Sequence, residues 1–147
     1  MKLKIAQVIG LNTDQKAAQV SSSIREENTF LAVLGISSDD AFTKGRQVLS
    51  ELEDFYFEFE GTPAEKLNAA FAEADGKLAA GEFDICLGAI SGKVLYLLGK
   101  GGVEVYLKRD EKMASLLSVG QQSQLISGFL EGGDRLLFAT KSLVSFI

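Results

Sequence analysis

Few side chains in this 147-residue chain suit covalent or metal chemistry. Histidine is absent, which removes imidazole ligands, histidine bases and every Ser–His or Cys–His relay at once. The single cysteine, Cys86, excludes an internal disulfide and a cysteine-built zinc site. It lies in the apolar run Ile85-Cys86-Leu87 with no cationic neighbour in sequence, the setting of a buried, inert thiol. Gly88-Ala89-Ile90-Ser91-Gly92-Lys93-Val94 has the outline of a phosphate-binding loop, but its glycines are one residue too close. Val94 stands where a magnesium-binding hydroxyl belongs, and a strand pattern follows where a helix is needed. It reads as a hairpin turn. Gly99-Lys100-Gly101-Gly102 has two uses open to it, an anion nest of backbone N–H groups or a plain positive-φ turn, and the turn is the commoner one. Asp39-Asp40 are adjacent, so a helix would not turn both carboxylates to one ligand; they suit a helix start. Asp110-Glu111 reads as solvated loop charge.

The elements around these residues follow from periodicity. Phe42, Val48, Leu49, Leu52, Phe55, Tyr56 and Phe59 recur at three- and four-residue steps, which predicts a helix from Asp39 to Phe59. Its last turn, Phe55-Tyr56-Phe57-Glu58-Phe59, also fits strand alternation; if helical, Phe57 points off the stripe and is a candidate interface residue. Thr62-Pro63-Ala64-Glu65 combines an N-cap, a first-turn proline and a glutamate three residues on, a capping box. Leu67, Phe71, Ala74 and Leu78 continue that helix as one stripe, and Gly81 stops it.

The remainder predicts strands at Lys2–Ile9, Ala17–Ile24, Thr29–Ile36, Phe83–Ser91, Val94–Leu98, Val103–Arg109, Met113–Leu117, Gln124–Leu130 and Arg135–Thr140. The short links Gly92-Lys93, Gly99–Gly102 and Glu131–Asp134 predict antiparallel hairpins. Phe30-Leu31-Ala32-Val33-Leu34 and Leu136-Leu137-Phe138-Ala139 lack clean alternation, so both faces of these strands must be covered. Helices on one side and a second sheet on the other satisfy that, giving an α+β sandwich with a sheet-on-sheet core.

Composition narrows the functional classes. At 15.8 kDa, with 46% hydrophobic and 24% charged residues, the chain is expected to form one globular domain over residues 1–147. A net charge of −5 and a pI near 4.8 argue against a nucleic-acid or anionic-membrane partner. No apolar run approaches the ~20 residues of a membrane span, and no leader pattern is visible, so a cytoplasmic setting without membrane insertion is expected. Residues 39–84 hold 12 acids and 4 bases, while the rest holds 8 acids and 11 bases, so negative charge concentrates on the helices. That layer could meet a basic partner, although a solvated helical face is its commoner meaning. The apolar end Val144-Ser145-Phe146-Ile147 suggests a domain cut from a longer chain.

Three local patterns, in order, carry a resemblance. Phe30-Leu31-Ala32-Val33-Leu34-Gly35 precedes the two helices. Val94-Leu95-Tyr96-Leu97-Leu98-Gly99-Lys100-Gly101-Gly102-Val103-Glu104-Val105-Tyr106-Leu107 forms a strand–glycine–strand unit. Gly128-Phe129-Leu130-Glu131-Gly132-Gly133-Asp134-Arg135-Leu136-Leu137-Phe138-Ala139-Thr140-Lys141-Ser142-Leu143 is the most specific. Together they resemble the metal-dependent Ser/Thr protein phosphatases of the type 2C (PPM) family: a strand ending in Asp-Gly, a Gly-Asp-Ser-Arg unit, and Gly-x-Leu…Gly-Asp-x-Leu-Leu-x-x-Thr-Asp-Gly-Leu. The resemblance spans most of the chain and implies an αββα sandwich, two mostly antiparallel sheets flanked by helices. It places the family's C-terminal helices and last strand beyond Ile147. In the family, aspartates hold two metal ions that activate a water for attack on phosphoserine or phosphothreonine.

The resemblance also marks where this chain departs. Leu34 stands at the aspartate of the first Asp-Gly, with Gly35 as its glycine. Gly101 and Gly102 stand at the Gly-Asp of the second pattern, and Glu104 at its arginine. Thr140 keeps the threonine of Thr-Asp-Gly, but Lys141 and Ser142 replace Asp-Gly. Asp14 is a loose counterpart of the family's N-terminal metal aspartate; Arg25-Glu26-Glu27-Asn28 lies too near the next strand. Leucine offers no oxygen, and a lysine charge beside a dication costs several kcal/mol at an effective dielectric of about 20. No catalytic residue, metal or other cofactor is therefore expected, and Lys141 is expected to pair with an acid such as Asp14.

Three readings follow. The first is a catalytically inactive phosphatase-like domain that binds a protein partner or itself. The second is a divergent but active metal-dependent phosphatase. The third is an unrelated sandwich of the amide-hydrolase type, disfavoured because Lys2 follows Met1 where an N-terminal nucleophile would be needed.

Overall fold

The computed structural model describes residues 15–79, 81–117 and 124–140. Along the chain these form β1 (Lys16–Arg25), β2 (Asn28–Ser37), α1 (Ala41–Glu58), α2 (Pro63–Leu78), β3 (Glu82–Ser91) and β4 (Val94–Lys100), followed by β5 (Val103–Arg109), β6 (Lys112–Leu117), β7 (Ile126–Phe129) and β8 (Arg135–Thr140). The strand expected at Lys2–Ile9 lies outside the described residues. The other strands fall within about two residues of their sequence-based bounds, as boundary fraying leads one to expect.

Every strand pairing among the described residues is antiparallel. One sheet has the order β1-β2-β3-β4-β7, the other β6-β5-β8. The helices lie on one face of the larger sheet, and the smaller sheet covers its other face. Two cores result, and β2 serves both through strand alternation. Phe30, Ala32, Leu34 and Ile36 enter the helix-side core with Val48, Leu49, Leu52, Leu67 and Leu78. Val33 enters the intersheet core with Cys86, Leu97, Val103, Val105 and Leu117. This is the two-sided burial that the unbroken apolar runs require. No described helix packs on the outer face of the smaller sheet.

Several local expectations are corrected. The last turn of α1 is helical, and Phe57 is no free interface residue. Its ring meets Phe30 and Tyr56 edge-on at 6.5 and 5.2 Å, beneath the Arg25 guanidinium at 4.4 Å. The buried stripe of α1 runs through Ala41, Gly45, Val48, Leu49, Leu52 and Tyr56, which leaves Phe42 39% exposed beside Arg46. Asp40 is the N-cap but sits in the left-handed region at φ 55°, and its side chain makes no capping bond. The capping box of α2 is present in altered form. Thr62 Oγ1 accepts the Glu65 N–H at 3.2 Å, while its hydroxyl donates to the Glu65 carboxylate at 3.0 Å.

The expected hairpins divide into two kinds. Gly92-Lys93 joins neighbours β3 and β4, with Gly92 at φ 60°. The Gly101-Gly102 link and the Glu131–Asp134 link instead carry the chain from the large sheet to the small one, β4 to β5 and β7 to β8. A short glycine-bearing link reverses the chain equally well within a sheet or between two stacked sheets, and only the partner strands decide which. The true hairpin of the small sheet, β5–β6, turns on Asp110 at φ 56°.

The crossing after β7 is held by an ionic latch. Arg109 Nε and Nη2 donate to the two oxygens of Asp134 at 2.9 and 2.8 Å, and the Glu131 N–H donates to Asp134 Oδ2 at 2.8 Å. Arg109 Nη2 also reaches the Phe129 carbonyl at 3.2 Å. Such a two-pronged pair fixes geometry as well as adding attraction.

Candidate functional site at the sheet edge

At one edge of the sandwich the end of β2, the start of β3, the β4–β5 crossing and the end of β8 come together. Gly35 on β2 lies opposite Asp84 on β3. A Cβ on Gly35 would stand 3.5 Å from Thr140 Cγ2 and 3.8 Å from Asp84 Oδ2, so all three residues share the intersheet face. Asp84 Oδ1 accepts the Gly102 N–H at 2.7 Å. Gly101 has φ 82° and presses so close that any side chain there would collide with the Asp84 carboxylate. Glycine is required at that position on both counts.

Four of the seven positions marked by sequence, Gly35, Gly101, Gly102 and Thr140, thus meet around one carboxylate. Leu34 is their neighbour in sequence but not in space. Alternation turns it to the opposite face, into the helix-side core, where it is fully buried. Lys141, Ser142 and Asp14 lie outside the described residues. Glu104, at the family's arginine position, accepts the hydroxyl hydrogen bond of Tyr106 two residues on.

Asp84 is the residue that sequence reading missed. The signal was present, since it is the one acid inside the apolar stretch Phe83–Ser91. What a one-dimensional pattern lacks is its partner, 18 residues away across the crossing. The glycine cluster that reads as either turn or anion nest is in effect both: Gly101 takes the positive φ, and the adjacent N–H binds an internal anion.

The described lysine nearby, Lys100, is engaged elsewhere. Lys100 Nζ pairs with Asp75 at 2.7 Å and sits 5.2 Å from the Phe83 ring centroid, beside α2. These residues border an open cleft of about 440 Å³, lined also by Ala79, Gly81 and Glu82. Cys86 is fully buried two residues past Asp84, and burial pushes its thiol up to about 12, so it supplies no thiolate near neutral pH.

The described residues at this edge do not fit a two-metal centre. Hard divalent ions need several converging oxygens. Here one oxygen of Asp84 is taken by an amide, and among the described residues no three acidic or thiol side chains converge.

Comparison with solved structures identifies the architecture. The chain is similar to the catalytic domain of the serine/threonine protein phosphatase PstP solved in complex with two manganese ions, with a TM-score of 0.67 and 15% identity over 90% of this chain and 80% of that one. It is similar to the Mycobacterium tuberculosis serine/threonine phosphatase PstP/Ppp, with a TM-score of 0.60 and 16% identity over 84% and 77% of the two chains. It is also similar to the phosphatase domain of the Bacillus subtilis cell fate determinant SpoIIE, with a TM-score of 0.57 and 15% identity over 86% and 59%. No protein-family model and no curated protein matches the sequence. Two antiparallel sheets stacked face to face, with two helices between β2 and β3, give this chain the fold of the type 2C serine/threonine phosphatase domains.

Proposed function

We propose that this chain is a single phosphatase-fold domain that does not hydrolyse phosphate esters and works in the cytoplasm as a protein-binding or regulatory module. The observation that carries the reading is the arrangement at the sheet edge. One oxygen of the Asp84 carboxylate is taken up in closing the Gly101-Gly102 crossing, and the leucine at the family's aspartate position is committed to the helix-side core. In the sequence, Lys141 stands where the resemblance implies an aspartate, so a basic residue type replaces an acidic one that a dication would need. The hydrophobic framework is kept while the oxygen donors are replaced, which suits a domain used for its surface. No helix among the described residues is long and apolar enough to cross a membrane.

The alternative is a divergent active phosphatase, favoured by the fold neighbour solved with two manganese ions. Hydrolysis of p-nitrophenyl phosphate with and without manganese separates the two. The proposal expects no turnover above buffer at any manganese concentration. Turnover that manganese supports and a chelator abolishes would establish the enzyme instead.

A further inference from the structure

Where β3 begins and β4 ends, on the helix side of the large sheet, one of the chain's own lysines lies against an aromatic face. Lys100 on β4 is opposite Ile85 on β3, which puts it on the face that Ile85 and Phe83 turn to the helices. Phe83 is its diagonal neighbour, within reach of a long side chain. The Lys100 ammonium stands 5.2 Å from the Phe83 ring centroid and 2.7 Å from Asp75 of α2. Asp84 faces the other way, between the sheets, so this cluster is separate from the crossing that Asp84 closes.

The surroundings favour positive charge. The open cleft of about 440 Å³ is lined by Asp75, Ala79, Gly81, Glu82, Phe83 and Lys100, so acids outnumber bases. It lies at the C-terminal end of α2, where the helix dipole is negative. Lys77, the basic residue of that last turn, is committed to Glu51 of α1 at 2.6 Å. Residues 39–84 hold 12 acids and 4 bases, a field that draws a basic partner toward this side of the molecule.

The lysine already seated there is easily exchanged. The Lys100 and Asp75 side chains are 48% and 49% exposed, and an ion pair held in that much water contributes little. A guanidinium suits the same place better. It is planar, so it lies flat on a ring, and its fork pairs with a carboxylate through two parallel hydrogen bonds; an ammonium does neither. We propose that this cleft takes an arginine side chain from a basic segment of a partner protein, with the guanidinium stacked on Phe83 and paired to Asp75, and Lys100 displaced. The arginine site gives the binding module its class of partner, and it rests on that reading of the function.

The probes are a blocked pentapeptide alternating arginine with glycine and its lysine and citrulline counterparts. Each is titrated into the isotope-labelled full chain at about 0.1 M salt and followed by amide NMR. The arginine peptide is expected to move the signals of Gly81, Glu82 and Phe83 first, and to bind about threefold or more tighter than the lysine peptide. The citrulline peptide, of the same shape without the charge, is expected to move none of them. Lys100→Met removes the resident competitor and is expected to tighten binding of the arginine peptide about threefold. Asp75→Asn is expected to weaken it about fivefold. Phe83→Leu leaves the net charge unchanged and is expected to erase the preference for arginine over lysine. Glu60→Gln removes an acid at the opposite end of α2 and is expected to leave affinity within about twofold. Should Phe83→Leu fail to fold, the ranking of the peptides and Lys100→Met decide. No shift with the arginine peptide, equal affinity for arginine and lysine, shifts centred elsewhere, or a Lys100→Met chain that binds no better would overturn the inference. Manganese-dependent phosphate hydrolysis would remove the inactive-module reading without moving any of these titrations, so the two failures are told apart.

Discussion

The Asp84 carboxylate accepts the Gly102 N–H at 2.7 Å, and through that bond β3 of the large sheet holds the chain where it crosses to the small one. An inward-facing acid in a strand is costly unless it is hydrogen-bonded. Here the crossing supplies the donor. Asp84→Ala leaves the Gly102 amide without its acceptor and is expected to cost about 1–3 kcal/mol in urea unfolding. Asp84→Asn keeps an oxygen for that amide and is expected to cost less than the alanine variant. If both variants matched the parent, the bond would contribute nothing to the crossing.

Leu34→Asp restores the family's residue type but not a ligand. The side chain faces the helix-side core, where Leu34 is fully buried among apolar groups. An unpaired carboxylate placed there is expected to destabilise the fold by about 3–5 kcal/mol. Manganese is expected not to restore the lost melting temperature in a thermal scan. Recovery with manganese would mean that the position opens toward the sheet edge.

The Arg109–Asp134 latch gives a defined acid sensitivity. The guanidinium, helped by the Glu131 amide, holds the Asp134 carboxyl down at about 2 against an ordinary value of 3.8. A carboxyl lowered in the folded state stabilises fully above its unfolded value, and that contribution is lost as pH falls through the folded one. Stability is therefore expected to decline between about pH 4 and pH 2 more steeply in the parent than in Asp134→Asn. Parallel urea midpoints for the two proteins across that window would rule out the latch as the source.

Gln19 is buried at 7% exposure on β1, opposite Leu34 and against Gly45 of α1, and its side-chain Nε2 has no hydrogen-bond partner among the described residues. A buried donor without an acceptor is a standing cost. Gln19→Met keeps the length and flexibility of the side chain and removes the polar group. It is expected to raise stability by about 1 kcal/mol, read as a higher urea midpoint with an unchanged slope. A lower midpoint would show that the amide is satisfied in solution.

The sequence is most legible where the physics is local. A two-residue period without polar positions required strands covered on both faces, and β2 is so covered. A capping box placed the start of α2 at Pro63. Cys86, set among aliphatic residues, was readable as an inert thiol because burial alone explains it. The α1 stripe was right in period, yet Phe42 and Phe57 were assigned to the wrong surroundings. A helical wheel tells which residues share a face, but not how far the sheet beneath extends.

What the chain alone determined, then, is the succession of strands and helices, the need for a sheet buried on both sides, and the absence of histidine chemistry. The tertiary structure decided which short links turn back within a sheet and which step across to the other. It decided that Leu34 and Gly35 face opposite cores, and that Asp84 binds an amide 18 residues away. Secondary structure follows from neighbours a few residues apart, whereas strand partners, layer crossings and the fate of an inward-facing carboxyl group depend on groups that only the folded chain brings into contact.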